Sequence, residues 1–222
     1  MAEFTITIKD QLLSFQTNKN VFSPGSLDRG TAAMLSVVEF SPQDKVLDLG
    51  CGYGPVGILA AKFTAPGQVT MCDISEDALQ LSVQNAARNG IAPDALHILK
   101  SDGLCAIPDS NYTKILSNPP YHTDFSVAKG FIEDGFSHLK TGGVMYMVTK
   151  RRDWYKNKFI SVFGGVHIDE IDGYYVFTAE KRAGKKQTGQ TNFAMPVPKA
   201  GKTQKLSKKL ARKENRTRHG SL

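Results

Sequence analysis

The chain has 222 residues, of which 41% are hydrophobic, enough for one α/β domain with appendages and too many for a chain that is disordered throughout. No segment has the run of about 20 apolar residues that spans a membrane, and the N-terminus lacks the apolar stretch of a signal peptide. The three cysteines form no CxxC pair, which argues against a disulfide framework or a zinc module and favours reduced thiols in the cytoplasm.

The net charge of +7 is unevenly distributed along the chain. Residues 181–222 contain 13 Lys or Arg and one acidic residue, whereas residues 1–180 contain 15 basic and 20 acidic residues. The basic segment has almost no apolar periodicity, so we predict a largely disordered tail over residues 182–222. One interpretation of this tail is an arm that binds nucleic acid, and the alternative is a solvated segment that aids solubility.

The first 40 residues predict a β-hairpin followed by a helix. Apolar and polar residues alternate over residues 4–8, and the apolar pattern resumes over residues 12–15. After a turn at Pro24–Gly25, residues 27–40 have the pattern of a helix. We expect residues 1–40 to pack on the domain that follows.

Strands and helices then alternate over residues 41–181, which is typical of a parallel sheet covered by helices on both faces. Two final strands are joined by a turn at Asp172–Gly173, so the last strand is expected to be antiparallel. We therefore predict an α/β fold with a seven-stranded, mostly parallel sheet. The predicted strands are 45–49, 68–72, 96–100, 114–117, 143–149, 166–171 and 174–179, and the predicted helices are 56–63, 76–88, 127–139 and 154–163.

A glycine-rich loop follows the first strand of this region. Its four glycines between residues 50 and 57 allow a sharp turn and a close approach to a ligand, and residues 52–57 match the dinucleotide pattern GxGxxG. Asp48 places a carboxylate beside the loop, which favours a ligand with a positively charged amino group over a pyrophosphate. S-adenosylmethionine has an ammonium group, a sulfonium group and no phosphate, so it fits this loop.

Three aspartates lie at the carboxyl ends of successive predicted strands, where open α/β sheets bind their ligands: Asp48, Asp73 and Asp102. Asp73 is placed to accept hydrogen bonds from both hydroxyls of a ribose, and Asp102 to accept one from an adenine amino group. A single aspartate is more often a helix cap or a turn residue. Their repetition at successive strand ends favours a ligand site.

The segment Ser117-Asn-Pro-Pro-Tyr121 follows the fourth predicted strand. Its prolines lack amide hydrogens, which leaves nearby carbonyls available to a ligand. The Asn118 side-chain oxygen and the Pro119 carbonyl could each accept one hydrogen of an amino group, while Tyr121 could stack on a planar substrate. The alternative is an ordinary Pro-Pro turn.

DLGCGYG, the acidic strand ends and NPPY together resemble the class I S-adenosylmethionine-dependent methyltransferases that act on a planar nitrogen. VFSPGSLDRGT over residues 21–31 and SNPPYH resemble ribosomal RNA small subunit methyltransferase C and its single-domain relatives, which methylate guanine N2 in 16S rRNA. The resemblance covers residues 12–180. This chain departs from it in having Tyr121 where Phe is usual, and no room for the additional N-terminal domain of proteobacterial members.

The resemblance implies a Rossmann-like methyltransferase fold and S-adenosylmethionine as the cofactor, with S-adenosylhomocysteine as the product. It implies in-line attack of the guanine amine on the sulfonium methyl group, with small-subunit ribosomal RNA as the partner, in the cytoplasm, without a metal or a membrane. The candidate cofactor-binding residues are Thr31, Asp48, Gly50, Cys51, Gly52, Gly54, Asp73, Ile74, Asp102, Gly103 and Asn118. The candidate catalytic residues are Asn118, Pro119, Pro120 and Tyr121, and the candidate RNA contacts are Phe22, His122, Lys150, Arg151 and Arg152.

Several alternatives remain open at this point. NPPY also occurs in adenine-N6 methyltransferases of tRNA and in glutamine-N5 methyltransferases of proteins. An RNA-binding ribosome assembly factor without catalysis is a further possibility, and a nicotinamide oxidoreductase would leave NPPY without a role. Lys150 to Arg152 could simply be charged residues at the start of a helix that Trp154 staples, and a lone histidine such as His122 is usually structural.

Overall fold

The computed structural model describes residues 2–18, 25–120 and 125–184. The strands are β1 (Ala2–Ile8), β2 (Gln11–Thr17), β3 (Val46–Leu49), β4 (Val69–Asp73), β5 (Leu96–Lys100), β6 (Tyr112–Ser117), β7 (Leu139–Thr149), β8 (His167–Ile171) and β9 (Tyr174–Glu180). The helices are α1 (Arg29–Val37), α2 (Pro55–Ala60), α3 (Glu76–Arg88), α4 (Phe125–His138) and α5 (Asp153–Phe163), with a 3-10 turn at Pro93–Ala95. Within the described ranges, no helix is both long and apolar enough to cross a membrane.

Seven strands form one sheet in the order β5-β4-β3-β6-β7-β9-β8, and β1 and β2 form a separate antiparallel hairpin. β9 runs antiparallel to both of its neighbours, while the other pairings in the large sheet are parallel. The β8–β9 turn has positive φ at Asp172 (51°) and Gly173 (77°), as a two-residue hairpin turn requires. The prediction of a seven-stranded, mostly parallel sheet with an antiparallel last strand is confirmed.

The order of the strands creates a switch point between β3 and β6. After β3 the chain builds β4 and β5 on one side, then returns to the other side with β6. The loops that leave β3 and β6 therefore diverge and open a crevice at the carboxyl end of the sheet, where ligands of such folds bind. The Ser117 hydroxyl donates to the Leu49 carbonyl at 2.8 Å and fixes the ends of these two strands together.

Both faces of the sheet are buried. In β3, Val46 packs into one apolar cluster with helices α1, α2 and α3, whereas Leu47 and Leu49 pack into a second cluster with α4 and α5. In the second cluster, Phe159 of α5 stacks on Phe177 of β9 with the rings 5.5 Å apart. β3 is buried on both faces, which agrees with its sequence: every residue is apolar except Asp48.

The N-terminal hairpin is held against α3 by two asparagine side chains, which form the backbone hydrogen bonds with β2 that a neighbouring strand would otherwise form. The Asn85 side-chain oxygen accepts a hydrogen bond from the Gln16 backbone N–H at 2.8 Å, and the Asn85 side-chain nitrogen donates one to the Gln16 backbone carbonyl at 3.0 Å. Asn89 makes the same pair of bonds to Ser14, at 3.0 and 2.8 Å. Asn85 also donates to the Tyr53 carbonyl at 2.9 Å, so one buried side chain links the hairpin to the glycine-rich loop.

Some predicted boundaries were wrong by a few residues. α1 begins at Arg29 because Asp28 caps it, and it ends at Val37 because Val38 is extended. α2 ends at Ala60 rather than residue 63, and β7 begins at Leu139 because it already pairs with β6 there. The predicted divisions at residues 40 and 181 stay predictions, and most of the predicted tail (residues 185–222) lies outside the described residues.

Candidate active site

A cavity of about 410 Å³ opens at the switch point, at the carboxyl ends of β3, β4 and β6. It is lined by ten of the eleven residues predicted to bind the cofactor and by three of the four predicted to act in catalysis. The predicted residues that line it are Thr31, Asp48, Gly50, Cys51, Gly52, Asp73, Ile74, Asp102, Gly103, Asn118, Pro119 and Pro120. The remaining catalytic candidate, Tyr121, lies outside the described residues.

Gly54 is the predicted cofactor residue that does not line the cavity. It caps the N-terminus of α2 with a φ of 95°, and a Cβ there would lie 2.9 Å from the Met71 side chain. A Cβ at Gly57 would come within 2.5 Å of the same methionine. These two glycines are therefore needed for packing between the loop and β4, whereas Gly50 and Gly52 border the cavity.

The cavity loop is fixed by hydrogen bonds to the end of β4. The backbone N–H groups of Gly50 and Cys51 both donate to the Cys72 carbonyl at 2.9 Å. The Gly52 N–H donates to a carboxylate oxygen of Asp73 at 2.9 Å, and the Ser75 N–H donates to the other oxygen at the same distance. Asp73 thus shapes the loop in addition to facing the cavity.

Asp48 is a buried carboxyl in the cavity wall, with only 2% of its surface exposed. One of its oxygens accepts the Gly57 N–H of the first turn of α2 at 2.8 Å. Burial raises the pKa of Asp48 to about 7, the Gly57 hydrogen bond opposes that shift, and the negative charge of Asp73 adds to it. A positively charged ligand group beside Asp48 would compensate the buried negative charge.

The described charged residues that line the cavity are all acidic. Asp28, Asp48, Asp73 and Asp102 line it, and none of the described residues that line it is Lys, Arg or His. Burial raises the pKa of Cys72 to about 12 and that of Cys51 well above its ordinary value, so both thiols are protonated and poor nucleophiles. The cavity therefore favours a cationic ligand over a phosphate.

Asn118 is held by two residues from the start of α1. Its side-chain nitrogen donates to the Asp28 carboxylate at 2.7 Å and to the Thr31 hydroxyl at 2.9 Å. The same Asp28 oxygen caps α1 by accepting the Thr31 N–H at 2.8 Å. Asp28 was not among the predicted site residues, although its place before a helix and three residues ahead of Thr31 was a signal for a cap.

Other cavity residues were missed because their types carry no chemical signal. Ser75 and Ser101 add hydroxyl groups, while Val127 and Phe131 of α4 provide an apolar wall. Ile74 was predicted, and it is 62% exposed at the cavity, which is unusual for an isoleucine and leaves an apolar surface for a planar ligand. Among the described residues, no cluster of three or more His, Cys, Asp or Glu side chains could hold a metal.

Three of the candidate RNA contacts are described, and they lie outside the cavity wall. Lys150, Arg151 and Arg152 are exposed just after β7, and each places its charge over an aromatic ring. The distances to the ring centroids are 4.9 Å for Lys150 over Tyr174, 5.0 Å for Arg151 over Phe125 and 6.0 Å for Arg152 over Tyr175. Trp154 stacks on Phe125 with the ring centroids 4.3 Å apart. We call Lys150, Arg151 and Arg152 the basic rim. Phe22 and His122 lie outside the described residues.

Comparisons with known proteins point to one family. A family model described as the methyltransferase small domain matches residues 12–178. Ribosomal RNA small subunit methyltransferase C of Pseudomonas putida strain GB-1 is 32% identical over 79% of this chain and 53% of its own length. The uncharacterized protein YbxB of Bacillus subtilis is 28% identical over 80% of this chain and 90% of its own. The chain thus spans about half the length of the curated methyltransferase C relatives.

Solved structures agree with this assignment. The 16S rRNA N2 G1207 methyltransferase of T. thermophilus, in complex with AdoMet and guanosine, matches with a TM-score of 0.74 and 25% identity, over 81% of this chain and 50% of that chain. A methyltransferase from Pyrococcus furiosus matches with a TM-score of 0.62 over 77% of this chain and 89% of that chain. At 18% identity, the second match shows a shared fold.

Proposed function

The chain belongs to the methyltransferase small domain family, and from that premise we propose that it transfers a methyl group from S-adenosylmethionine to the N2 amine of a guanine in 16S ribosomal RNA. The observation that carries this proposal is the position of Asn118-Pro119-Pro120 on the wall of an acidic cavity, with the Asn118 amide held in one orientation. The choice of substrate is supported by the relatives named ribosomal RNA small subunit methyltransferase C and by the T. thermophilus 16S rRNA N2 G1207 methyltransferase in complex with AdoMet and guanosine.

The residues of the cavity fit the proposed cofactor. Asp48 is a buried carboxyl that gains from a neighbouring positive charge, as an α-ammonium group would provide. Asp73, Asp102 and Ile74 line the same cavity. We propose that the two carboxylates accept hydrogen bonds from the ribose hydroxyls and the adenine amino group, and that Ile74 contacts the face of the adenine ring. When bound, S-adenosylmethionine supplies an electrophilic methyl group on a sulfonium ion. The acidic wall also disfavours a dinucleotide, whose phosphates would meet carboxylates.

The chain itself contributes orientation and polarity to the reaction. The Asn118 side-chain oxygen and the Pro119 carbonyl accept hydrogens of the substrate amine, which draws electron density onto its nitrogen and limits its rotation. Such positioning provides a large part of the catalysis when no strong base takes part. Tyr121 is proposed to stack on the base, which has to leave the RNA stack to enter the cavity.

The basic rim is proposed to bind the RNA backbone beside the cavity. β7 ends just before the rim, and its neighbour β6 ends just before Asn118, so the two sites share one edge of the sheet. Exposed arginines over aromatic rings can contact phosphates and also stack on unpaired bases. The basic tail is a second candidate for RNA binding, through release of counterions.

The experiment that tests the function uses the purified full chain with labelled S-adenosylmethionine. Reconstituted small ribosomal subunits, tRNA and a protein release factor are offered separately, and the products are digested and separated by mass spectrometry. Label in N2-methylguanosine from the 16S rRNA supports the proposal. Label in N6-methyladenosine or N5-methylglutamine would show that the substrate is tRNA adenine or protein glutamine and would refute the guanine-N2 proposal. Binding of the cofactor without transfer to any substrate would favour an assembly factor. The Asn118→Ala variant is the control for transfer by a contaminating enzyme.

A further inference from the structure

The contact between the start of α1 and the end of β6 joins residues that are 90 positions apart in the chain. Asp28 and Thr31 are buried, with 8% and 5% of their surfaces exposed, and both line the cavity beside Asn118. Their oxygens lie 2.7 and 2.9 Å from the Asn118 side-chain nitrogen. Capping α1 does not by itself require the Asp28 carboxylate or the Thr31 hydroxyl to contact Asn118.

The chemistry of these groups determines which way the Asn118 amide faces. A carboxylate only accepts hydrogen bonds, so the NH₂ end of the amide has to face Asp28. The Thr31 hydroxyl lies 3.3 Å from the same Asp28 oxygen and donates its hydrogen there, which leaves a lone pair for the second Asn118 hydrogen. Both amide hydrogens are used on this side, and the planar amide directs its oxygen away from the pair.

We propose that Asp28 and Thr31 are positioning residues for methyl transfer, which hold the Asn118 oxygen in place as the acceptor for the substrate amine. The inference rests on the proposed function, because it assigns a role to that same site. The Asp28 carboxylate does more than orient the amide. Its charge polarises the Asn118 NH₂ group and so makes the amide oxygen a stronger acceptor as positive charge develops on the substrate nitrogen.

The role of Asp28 as the cap of α1 can be separated from its contact with Asn118. Ser caps a helix about as well as Asp, but its shorter side chain does not extend to Asn118, so Asp28→Ser keeps the cap and removes the hydrogen bond to Asn118. Asp28→Asn keeps an oxygen acceptor and removes the charge. Thr31→Val keeps the shape of the side chain and removes the hydroxyl. Asp44→Asn is the matched control, because Asp44 is a buried aspartate with three hydrogen-bond partners at the opposite end of the sheet.

The experiment measures three quantities on the full-length variants: kcat with reconstituted small subunits, the affinity for S-adenosylhomocysteine, and the Asn118 side-chain amide signals in NMR spectra, assigned by their loss in Asn118→Ala. Asp28→Ser and Thr31→Val are expected to lower kcat by about 10- to 100-fold while the ligand affinity stays within about twofold. Asp28→Asn is expected to shift the Asn118 amide protons upfield and to lower kcat less. Asp44→Asn is expected to lower the melting temperature and leave kcat unchanged.

Unchanged kcat in Asp28→Ser and Thr31→Val would overturn the inference, as would Asn118 amide signals that do not respond to Asp28→Asn. A loss of ligand affinity equal to the loss of kcat would also overturn it, because the pair would then serve the cofactor cavity. If the wild-type protein methylates none of the RNA offered, the proposed function fails. The NMR signals still decide whether Asp28 and Thr31 hold the amide.

Discussion

The buried Asp48 predicts that ligand binding depends on pH in a defined way. Its pKa of about 7 means that the free protein carries a neutral carboxyl below pH 7, whereas a cationic ligand binds the ionised form. If only the ionised form binds, affinity follows the ionised fraction. S-adenosylhomocysteine should then bind about fivefold tighter at pH 7 than at pH 6, and about 50-fold tighter than at pH 5. Its ammonium group stays charged throughout this range.

Isothermal titration calorimetry measures both the affinity and the proton release. At pH 6 about 0.9 protons should be released for each ligand bound, which appears as a dependence of the binding enthalpy on the ionisation enthalpy of the buffer. Asp48→Asn should bind more weakly at pH 7 and lose the pH dependence, while its side-chain oxygen can still accept the Gly57 N–H. Asp73→Asn is the comparison: removing its charge should move the midpoint to lower pH.

The raised pKa of Asp48 also predicts how the stability of the free protein depends on pH. A carboxyl whose pKa is higher in the folded state than in the unfolded state stabilises the fold at low pH, and this contribution is lost as the pH rises from 3.8 through about 7. The difference amounts to about 4 kcal/mol for this group. Asp48→Asn should therefore raise the melting temperature of the free protein at pH 8. An affinity that does not change between pH 5 and pH 7, or a variant with the same pH slope as the wild type, would refute this reasoning.

Three further predictions concern other parts of the structure. Gly57→Ala should lower the free energy of unfolding by about 1 to 3 kcal/mol, because its Cβ would lie 2.5 Å from Met71; denaturant titration measures the loss, and wild-type stability would contradict it. Asn85→Ala should speed amide hydrogen exchange in β1 and β2 and cost about 2 to 4 kcal/mol; exchange as slow as in the wild type would show that the hairpin does not depend on this side chain. Replacing Arg151 and Arg152 with Ala should weaken RNA binding and reduce its salt slope by about one for each phosphate that the protein no longer binds, whereas Lys140→Ala, exposed near the opposite end of β7, should have little effect.

The elements that sequence analysis predicted well are those encoded over short distances. Most strands of the large sheet contain an apolar run followed by a turn or a helix signal. The two-residue turn at Asp172–Gly173 by itself indicates an antiparallel closing strand. The alternation of strands and helices predicted a mostly parallel sheet, whereas the order of its strands was not predicted and is known from the structure. Once that order is known, Asp48, Asp73 and Asn118 have to meet at one edge of the sheet.

Features that depend on contacts between distant residues were not predicted. The hairpin pairs with Asn85 and Asn89 across about 70 residues, and helical asparagines have no sequence pattern that indicates strand pairing. The spacing of glycines in a loop also does not reveal which of them face a ligand and which pack against a neighbouring strand. Gly54 was predicted to bind the cofactor, which stays a prediction, and the structure shows in addition that a Cβ there would meet Met71, Ile58 and Ser82.

The position of α1 explains why a segment ahead of the sheet belongs to the active site. Apart from Thr31, the candidate cofactor residues lie at or after the ends of β3, β4, β5 and β6, so each could be inferred from its own strand end. The orientation of the Asn118 amide, by contrast, depends on contacts from α1. Asp28 and Thr31 accept the two hydrogens of its NH₂ group, and they come from the start of a helix that precedes the sheet in the chain. Residues 28–31 and Asn118 therefore form one hydrogen-bonded unit, and a change in either part should alter the transfer step before it alters cofactor binding.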